Sequence, residues 1–387
     1  MTDSASLKGA ALAMCAATLA FSACRKSDFP VYPSNYREYA YVANNGSNTV
    51  TIIDLVNLRE DREIATGERP SAVMASKARN EAYVVNEGNG SGNGSLSVID
   101  ALQNQTIATI ALRRAPVAME LDDEAGLAYI ANSGANSVSV VDLKLRREKA
   151  VIGVGEKPVA LKRTPDGKSL LVANSDGNSI SIFDTAGLNT ASKPRAVFDH
   201  CPGAGSLAIL PDSSKAFVAC AAGHQVLSIR LANGKQPDRV EALMDVGKLP
   251  CYLAIKPDGG EIFVMNSGSD TISELSTPTN DVGGSYLMGA HPGQGLVSED
   301  NSLLYVSNSG SNEVTIYAVD DGERVGGVSV GDGPSAMAFS AAGNLLLVAD
   351  SRSADVALVR TASRALFNII PTGKDPVAIA VASFNVK

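Results

Sequence analysis

The chain has 387 residues, of which 45% are hydrophobic, 19% are charged and 5% are aromatic, and its formal net charge is −8 at pH 7. This acidic balance, with no basic run and no aromatic-basic stripe, argues against a nucleic-acid-binding protein, which must neutralise phosphates. The length allows two domains, but a chain built of repeats commonly buries one large core.

The first predicted element is an export signal in residues 1–23. Residues 7–24 read LKGAALAMCAATLAFSAC, an apolar run that is too short for a stable membrane span and ends in small residues. The segment Phe21-Ser22-Ala23-Cys24 resembles a bacterial lipoprotein cleavage box, which implies that the Cys24 thiol carries a lipid. Simple export and an uncleaved anchor are the alternatives.

A lipid on Cys24 would tether the protein to a membrane without spanning it. Residues 24–40 then form the lipidated linker, and residues 41–387 form the folded part. The expected location is the periplasmic or cell-surface side of a membrane. Arg25, rather than Asp, follows Cys24 and favours the outer membrane.

A short pattern recurs eight times along the rest of the chain. Successive copies start 42 or 46 residues apart, a period at which one repeat is one supersecondary unit. The copies are YVANNGSNTVTIID from 41, YVVNEGNGSGNGSLSVID from 83, YIANSGANSVSVVD from 129, LVANSDGNSISIFD from 171, FVACAAGHQVLSIR from 217, FVMNSGSDTISEL from 263, YVSNSGSNEVTIY from 305 and LVADSRSADVALV from 347.

Each repeat predicts four antiparallel strands, named A to D. An apolar strand B such as Tyr41-Val42 leads through an Asn/Gly/Ser turn to an alternating strand C such as Val138-Ser139-Val140. Strand A begins thirteen residues before the pattern, usually at a proline such as Pro158, and strand D follows strand C, as in 106–110. Asn at the fourth position of the pattern is expected to bond to nearby backbone and to tolerate left-handed dihedral angles. Four strands per period fit one β-propeller blade.

The two ends of the chain are complementary. The first copy has no proline-led strand A before it, whereas residues 373–381 form a strand A with no pattern after it. Pairing this C-terminal strand A with the N-terminal strands B, C and D predicts an all-β propeller of eight blades. The closed ring removes two exposed sheet edges, so a monomer is expected.

The repeats resemble those of the YVTN family of β-propeller proteins over roughly residues 41 to 386. The resemblance implies a propeller of the kind found on bacterial or archaeal cell-surface and secreted proteins. It extends more distantly to lactonase-like propellers. Seven blades are usual in such relatives, so seven is the alternative to the eight that the spacing here predicts.

Six residues of repeats five to seven are candidates for a ligand face. A strand A begins, and a strand B ends, on the same rim of a propeller, so these residues would lie near one another on the face that carries the D–A and B–C loops. Their spacing matches no metal-ligand signature, so loop histidines with packed or disulfide-bonded cysteines are the alternative to a soft-metal or ligand site. The candidates are His200, Cys201, Cys220, His224, Cys251 and His291.

The sequence does not support a serine nucleophile, a phosphate-binding loop or a calcium site. No G-x-S-x-G pattern accompanies a serine nucleophile, and the glycine-rich stretch 88–94 lacks the lysine and helix of a phosphate-binding loop. The aspartates that end strand C recur with the repeat, and we expect them to bond to turn backbone rather than to calcium; they are Asp54, Asp100, Asp142 and Asp184. No cofactor is predicted.

Three functions remain open. The preferred hypothesis is a non-enzymatic binding or scaffold module of the bacterial envelope, for a protein, a glycan or a small ligand. The second is a lactonase-like, metal-dependent hydrolase or lyase, which rests on fold analogy alone. The third is a structural component of a cell-surface layer.

Overall fold

The computed structural model describes residues 30–76 and 78–386, and from Tyr32 onward the chain is one compact unit. The predicted signal segment and Cys24 lie outside the described residues. Within the described part, the secondary structure is 32 strands and one 3₁₀ turn, Ala221–Gly223.

The strands form eight four-stranded antiparallel sheets, which confirms eight blades rather than seven. Blade 1 contains β1 (Tyr36–Asn44), β2 (Thr49–Asp54), β3 (Arg59–Ala65) and β32 (Pro376–Asn385). The other blades are, in order, blade 2, β4 (Pro70–Ser76), β5 (Glu81–Asn86), β6 (Asn93–Asp100) and β7 (Gln105–Arg114); blade 3, β8 (Pro116–Asp122), β9 (Leu127–Asn132), β10 (Ser137–Asp142) and β11 (Arg147–Gly153); blade 4, β12 (Pro158–Arg163), β13 (Ser169–Asn174), β14 (Ser179–Asp184) and β15 (Ala196–Phe198); blade 5, β16 (Ala204–Ile209), β17 (Lys215–Cys220), β18 (Gln225–Arg230) and β19 (Arg239–Asp245); blade 6, β20 (Pro250–Ile255), β21 (Glu261–Asn266), β22 (Thr271–Ser276) and β23 (Val282–Leu287); blade 7, β24 (Pro292–Val297), β25 (Leu303–Asn308), β26 (Glu313–Ala318) and β27 (Glu323–Ser329); blade 8, β28 (Pro334–Phe339), β29 (Leu345–Asp350), β30 (Asp355–Arg360) and β31 (Ala365–Pro371).

The ring closes as the complementary ends predict. β32 pairs antiparallel with β1, from Tyr36 opposite Asn385 to Asn44 opposite Pro376. The order in this sheet is β3-β2-β1-β32, so the last strand of the chain is strand A of blade 1. Because β32 is long, β1 begins at Tyr36, five residues before the start of the first repeat pattern at 41.

The core lies between neighbouring blades. Strands B and C are buried along nearly their whole length, and all six residues of β13 are buried. Between blades 4 and 5, for example, Leu171 and Ile182 pack with Leu207 and Val218. Strand D lies at the outer edge and is mostly exposed, as in β31, where five of the seven residues are exposed. The small, branched side chains of the repeat therefore serve to let one sheet pack on the next.

The prediction for the asparagine at the fourth position of the pattern is confirmed in part. In three repeats its amide does bond to nearby backbone, as Asn308 Nδ2 does to the Val306 carbonyl oxygen at 3.1 Å. The backbone of this asparagine is not left-handed, since the positive φ angles lie four residues later, at residues such as Asn48 (φ 60°) and Asn136 (φ 49°). The side-chain amide donates mainly to hydroxyls of strand C; Asn44 Nδ2, for instance, donates to Thr49 Oγ1 at 3.1 Å and to Thr51 Oγ1 at 2.9 Å. The asparagine therefore ties strand B to strand C from a fully buried position.

A glycine lies against this asparagine in most blades, 19 residues before it in the sequence. A Cβ added to Gly67 would lie 2.8 Å from the Asn86 side chain, so only glycine fits at this distance. Gly373 makes the same approach to Asn44 across the closure of the ring. The other pairs are Gly155 with Asn174, Gly247 with Asn266, Gly289 with Asn308 and, where Asp replaces Asn, Gly331 with Asp350.

Candidate functional site

The structure joins two of the six candidate residues by a covalent bond. Cys201 and Cys220 form a disulfide across 19 residues, and both are fully buried. They occupy the positions that glycine and asparagine hold in most other blades, so in blade 5 a covalent bond replaces the Gly–Asn contact. Leu227 of strand C stands where the six blades that keep the asparagine carry a hydroxyl such as Thr51 or Ser97, so an asparagine would have lost an acceptor there.

His224 takes part in a hydrogen bond that recurs around the ring. In blade 1, Asn48 ends the B–C turn and its Oδ1 accepts the backbone N–H of Arg69, the residue before the first proline of blade 2, at 2.8 Å. In blade 5, His224 Nδ1 accepts the N–H of Leu249, the residue before Pro250, at 3.2 Å. The histidine therefore replaces an asparagine in a link between neighbouring blades.

The other two histidines lie on the same face and differ in environment. His200 is exposed and its Nδ1 lies 2.6 Å from Asp199 Oδ1. His291 is left-handed (φ 53°), its N–H donates to Asp270 Oδ1 at 2.8 Å, and its Nδ1 lies 3.2 Å from the Ser267 carbonyl oxygen. Within residues 30–76 and 78–386, no group of three or more His, Cys, Asp and Glu side chains is arranged to hold a metal ion.

Cys251 is the free cysteine of the described chain, and it lies on the wall of the central channel. Its Sγ lies 3.4 Å from the Met265 carbonyl oxygen and 3.3 Å from that of Pro292 in the next blade. Ser71 and Ser335 make the equivalent bonds in blades 2 and 8. Burial against the channel wall raises the pKa of the Cys251 thiol, so the thiol form predominates at neutral pH.

The central channel is the cavity that the architecture itself creates. It has a volume of about 620 Å³ and is lined by strand A of blades 1 to 6, mostly by Ala, Val, Leu and Met side chains. The charged lining residues are Glu120 and Lys162, at the same position of strand A in blades 3 and 4. Burial raises the pKa of Glu120, and the nearby Lys162 ammonium opposes this rise.

Polar groups also lie across the channel, in blades 6 and 7. Tyr252 lines the cavity, and its hydroxyl accepts a hydrogen bond of 3.4 Å from Gln294 Nε2. Gln294 Oε1 accepts the N–H of Met337 at 2.6 Å, which fixes the amide. The channel thus combines an apolar wall, one pair of opposite charges and a hydroxyl, a composition typical of small-molecule sites.

The sequence analysis missed Glu120 and Lys162. Aligning the eight A strands on their first residue would have found them. At that position blades 1, 5, 6 and 8 carry Ala380, Ala208, Ala254 and Ala338, whereas charges appear in two adjacent blades. A charge at one or two copies of a repeated apolar position departs from the structural pattern and can therefore signal function.

The prediction for the strand C aspartates is confirmed at three of the four positions. Asp54 Oδ1 accepts the N–H of Val56 and Asn57, and Asp100 and Asp142 accept from the corresponding C–D turns. Asp184 differs, because its Oδ1 accepts from Arg195 Nη1 at 2.6 Å. The C–D loop of blade 4 is longer than those of the other three blades, so Asp184 has no tight turn to cap.

Blade 8 carries two carboxyl groups in contact. Asp350 replaces the asparagine of the pattern and is fully buried next to Asp355. Burial, and to a smaller extent the Asp355 carboxyl, raise the pKa of Asp350 to about 8. The Gly331 N–H, which donates to Asp350 Oδ2 at 3.0 Å, lowers this pKa and so opposes the rise. The pair therefore holds a proton at neutral pH.

The N-terminal predictions remain untested, since Cys24 and the signal segment lie outside the described residues. Over the described part of the chain, no helix has the length and apolar character needed to cross a membrane.

Comparison with solved structures shows the same fold in proteins of diverse roles. The dihydro-heme d1 dehydrogenase NirN, in complex with DHE, superposes with a TM-score of 0.74 at 14% identity, over 92% of this chain and 76% of that one. AztD from Citrobacter koseri gives 0.65 at 14% identity, over 91% and 99%. The periplasmic gluconolactonase PpgL of Pseudomonas aeruginosa gives 0.61 at 18%, over 90% and 99%. Identities this low establish the fold alone.

A search of curated proteins finds no match to the chain. A family model does match, the YNCE-like beta-propeller, over residues 95–383, which is well over half of the sequence. The chain therefore belongs to the YNCE-like beta-propeller family.

Proposed function

We propose that the protein is a non-catalytic binding propeller of the bacterial envelope, tethered through a lipid on Cys24, that holds a small organic ligand in its central channel. The observation that carries the proposal is the channel itself, a cavity of about 620 Å³ with an apolar wall and a few polar groups. Small-molecule sites commonly have this size and composition.

The two charged residues of the channel indicate which chemical groups the ligand carries. Glu120 and Lys162 occupy neighbouring blades, so a ligand with a cationic and an anionic group could pair with both. Tyr252, held by Gln294, offers a hydroxyl on the other side, next to apolar surface. A zwitterionic molecule with an apolar body therefore fits the channel best.

Native mass spectrometry of protein purified from the envelope of expressing cells would test this proposal. We expect a bound small molecule at one per chain. It should be lost in the double variant Glu120→Ala/Lys162→Ala, which carries the alanine that blades 1, 5, 6 and 8 already have at this position and so should fold normally. No bound molecule in the unaltered protein, or full occupancy in the double variant, would contradict the channel as the site.

The same preparation distinguishes binding from catalysis. Stoichiometric metal together with lactone hydrolysis, lost on substituting His200, His224 or His291, would replace this proposal with the lactonase-like alternative. The solved gluconolactonase of the same fold makes this assay the natural comparison, although 18% identity carries no activity over.

The disulfide supports the envelope location. Cys201 and Cys220 are bonded, and stable disulfides belong to oxidising compartments such as the periplasm. Metabolic labelling with a palmitate analogue would test the tether: we expect incorporation in the unaltered chain and in Cys15→Ser, and none in Cys24→Ser. Equal labelling of Cys24→Ser would exclude Cys24 as the lipid acceptor.

A further inference from the structure

The repeat departs from its regular length at the B–C turn of blade 2 and at two neighbouring C–D loops. In blades 4 and 5 the C–D loops run over residues 185–195 and 231–238, whereas in the other six blades four or five residues connect strands C and D. In repeat proteins, additions of this kind collect on binding faces. These two loops lie on the face opposite the D–A and B–C loops, and so away from the candidate histidines.

The two long loops are fastened to each other by one arginine. Arg195 of the first loop forms a two-pronged ion pair with Asp238 of the second, with Nε to Oδ2 at 2.8 Å and Nη2 to Oδ1 at 2.9 Å. Its Nη1 also donates to Ser169 Oγ at 2.9 Å. The Asp238 side chain is only 4% exposed, and its Oδ1 also accepts the Ala232 N–H. The loops are therefore held in place before any ligand arrives, which lowers the entropic cost of binding.

Between these loops and the A–B turns of blades 4 and 5 lies a polar cavity of about 620 Å³. Four serine or threonine hydroxyls line it, and aromatic side chains are absent from its lining. Three carboxylates and three cations complete the polar surface; they are Asp166, Asp184, Asp212, Lys168, Arg195 and Arg230. Two of these cations are already paired with carboxylates outside the lining, Arg195 with Asp238 and Arg230 with Glu241.

The lining therefore offers hydrogen-bond donors and acceptors side by side, and both guanidinium charges are already neutralised. An anion site would need cations without such partners. A neutral polyhydroxylated ligand needs both donors and acceptors, since every hydroxyl both donates and accepts a hydrogen bond. We propose that the pocket between blades 4 and 5 binds a neutral saccharide, with carboxylates accepting from its hydroxyls and the guanidinium and ammonium groups donating to them. The site is separate from the central channel and does not depend on the function proposed for it.

The test is binding of neutral trisaccharides to the purified full chain. The neutral probes are maltotriose, cellotriose, N,N′,N″-triacetylchitotriose and mannotriose, and the charged comparators are trigalacturonate, inorganic phosphate and Ca²⁺. Binding is measured by saturation-transfer NMR and titration calorimetry. We expect at least one neutral trisaccharide to bind and the charged comparators not to compete with it.

The variant Asp212→Asn should weaken that binding at least tenfold. Asp300→Asn is the matched control, because Asp300 holds the same turn position in blade 7, where its Oδ1 accepts the Ser302 N–H as Asp212 Oδ1 accepts the Ser214 N–H. Equal thermal melting of the two variants would show that the fold is intact. Absence of binding to all four neutral probes, preference for a charged comparator, or equal binding by the two variants would each overturn the proposal.

Discussion

Blades 5 and 8 both depart from the glycine–asparagine contact that recurs around the ring, and they depart in different ways. In blade 5 both partners are replaced, and Cys201 and Cys220 turn the contact into a covalent bond. In blade 8 only one is replaced: Gly331 remains, and its N–H still reaches Asp350 at 3.0 Å. On its other side, however, Asp350 meets the Asp355 carboxyl instead of a hydroxyl. A paired replacement satisfies the buried position, whereas a single one leaves an acid where a donor is needed.

The largest effect should come from removing the bond in blade 5. The variant Cys201→Ser/Cys220→Ser should lose about 3 kcal/mol of unfolding free energy, since a disulfide across 19 residues restricts the unfolded chain by about that amount. Urea unfolding with and without a reducing agent measures it. The reductant should destabilise the unaltered protein and leave the variant unchanged; equal sensitivity of the two would contradict the assignment.

A companion variant separates the bond from the contact that it replaced. Cys201→Gly/Cys220→Asn/Leu227→Ser restores all three residues of the regular blades, so it should recover part of the loss. If this triple variant were no more stable than Cys201→Ser/Cys220→Ser, the glycine–asparagine contact would contribute little to the stability of a blade.

The fold could be predicted from the sequence because its determinants are repeated eight times. The period, the strand-A prolines and the complementary ends fix the blade number and the closure without any knowledge of packing. The disulfide was left open, because cysteine spacing alone does not specify a pair. The 19-residue separation of Gly67 and Asn86 would have indicated it, but that contact becomes visible only in three dimensions. The channel charges and the paired long loops were likewise missed, since they are exceptions within a repeat and no single motif marks them.

In blade 8, restoring the amide should stabilise the protein. In Asp350→Asn the side-chain oxygen can still accept the Gly331 N–H, and its NH₂ can donate to Asp355. Removing a buried carboxyl from an acid pair should raise the unfolding free energy at pH 8 by about 1 to 3 kcal/mol. The reverse change in blade 7, Asn308→Asp, should lower it similarly, because its amide now donates to Thr315 Oγ1 at 2.9 Å. Urea unfolding should therefore show a higher unfolding free energy for Asp350→Asn and a lower one for Asn308→Asp than for the unaltered protein. Changes of the same sign would contradict this account.

The same acid pair makes stability depend on pH. The pKa of Asp350 rises from 3.8 to about 8 on folding, so the folded chain binds more protons than the unfolded chain between those values. Its contribution is therefore complete below about pH 4 and is lost as the pH rises towards 8. The difference in unfolding free energy between Asp350→Asn and the unaltered protein should grow over this interval. A difference that stays constant from pH 4 to pH 8 would show that Asp350 ionises normally.

The smallest effect concerns the hydrogen bond that joins blades 5 and 6, where His224 replaces the asparagine found in other blades. Since His224 Nδ1 accepts the Leu249 N–H as Asn48 Oδ1 accepts that of Arg69, His224→Asn should leave stability nearly unchanged. His224→Ala should lose about 1 kcal/mol, the usual contribution of one hydrogen bond. Asn136→Ala in blade 3 is the control, because Asn136 Oδ1 accepts the Lys157 N–H at 3.0 Å and should show the same loss. A larger loss at His224 that asparagine did not restore would mean that the imidazole does more than join two blades, and would return His224 to the candidates for a ligand.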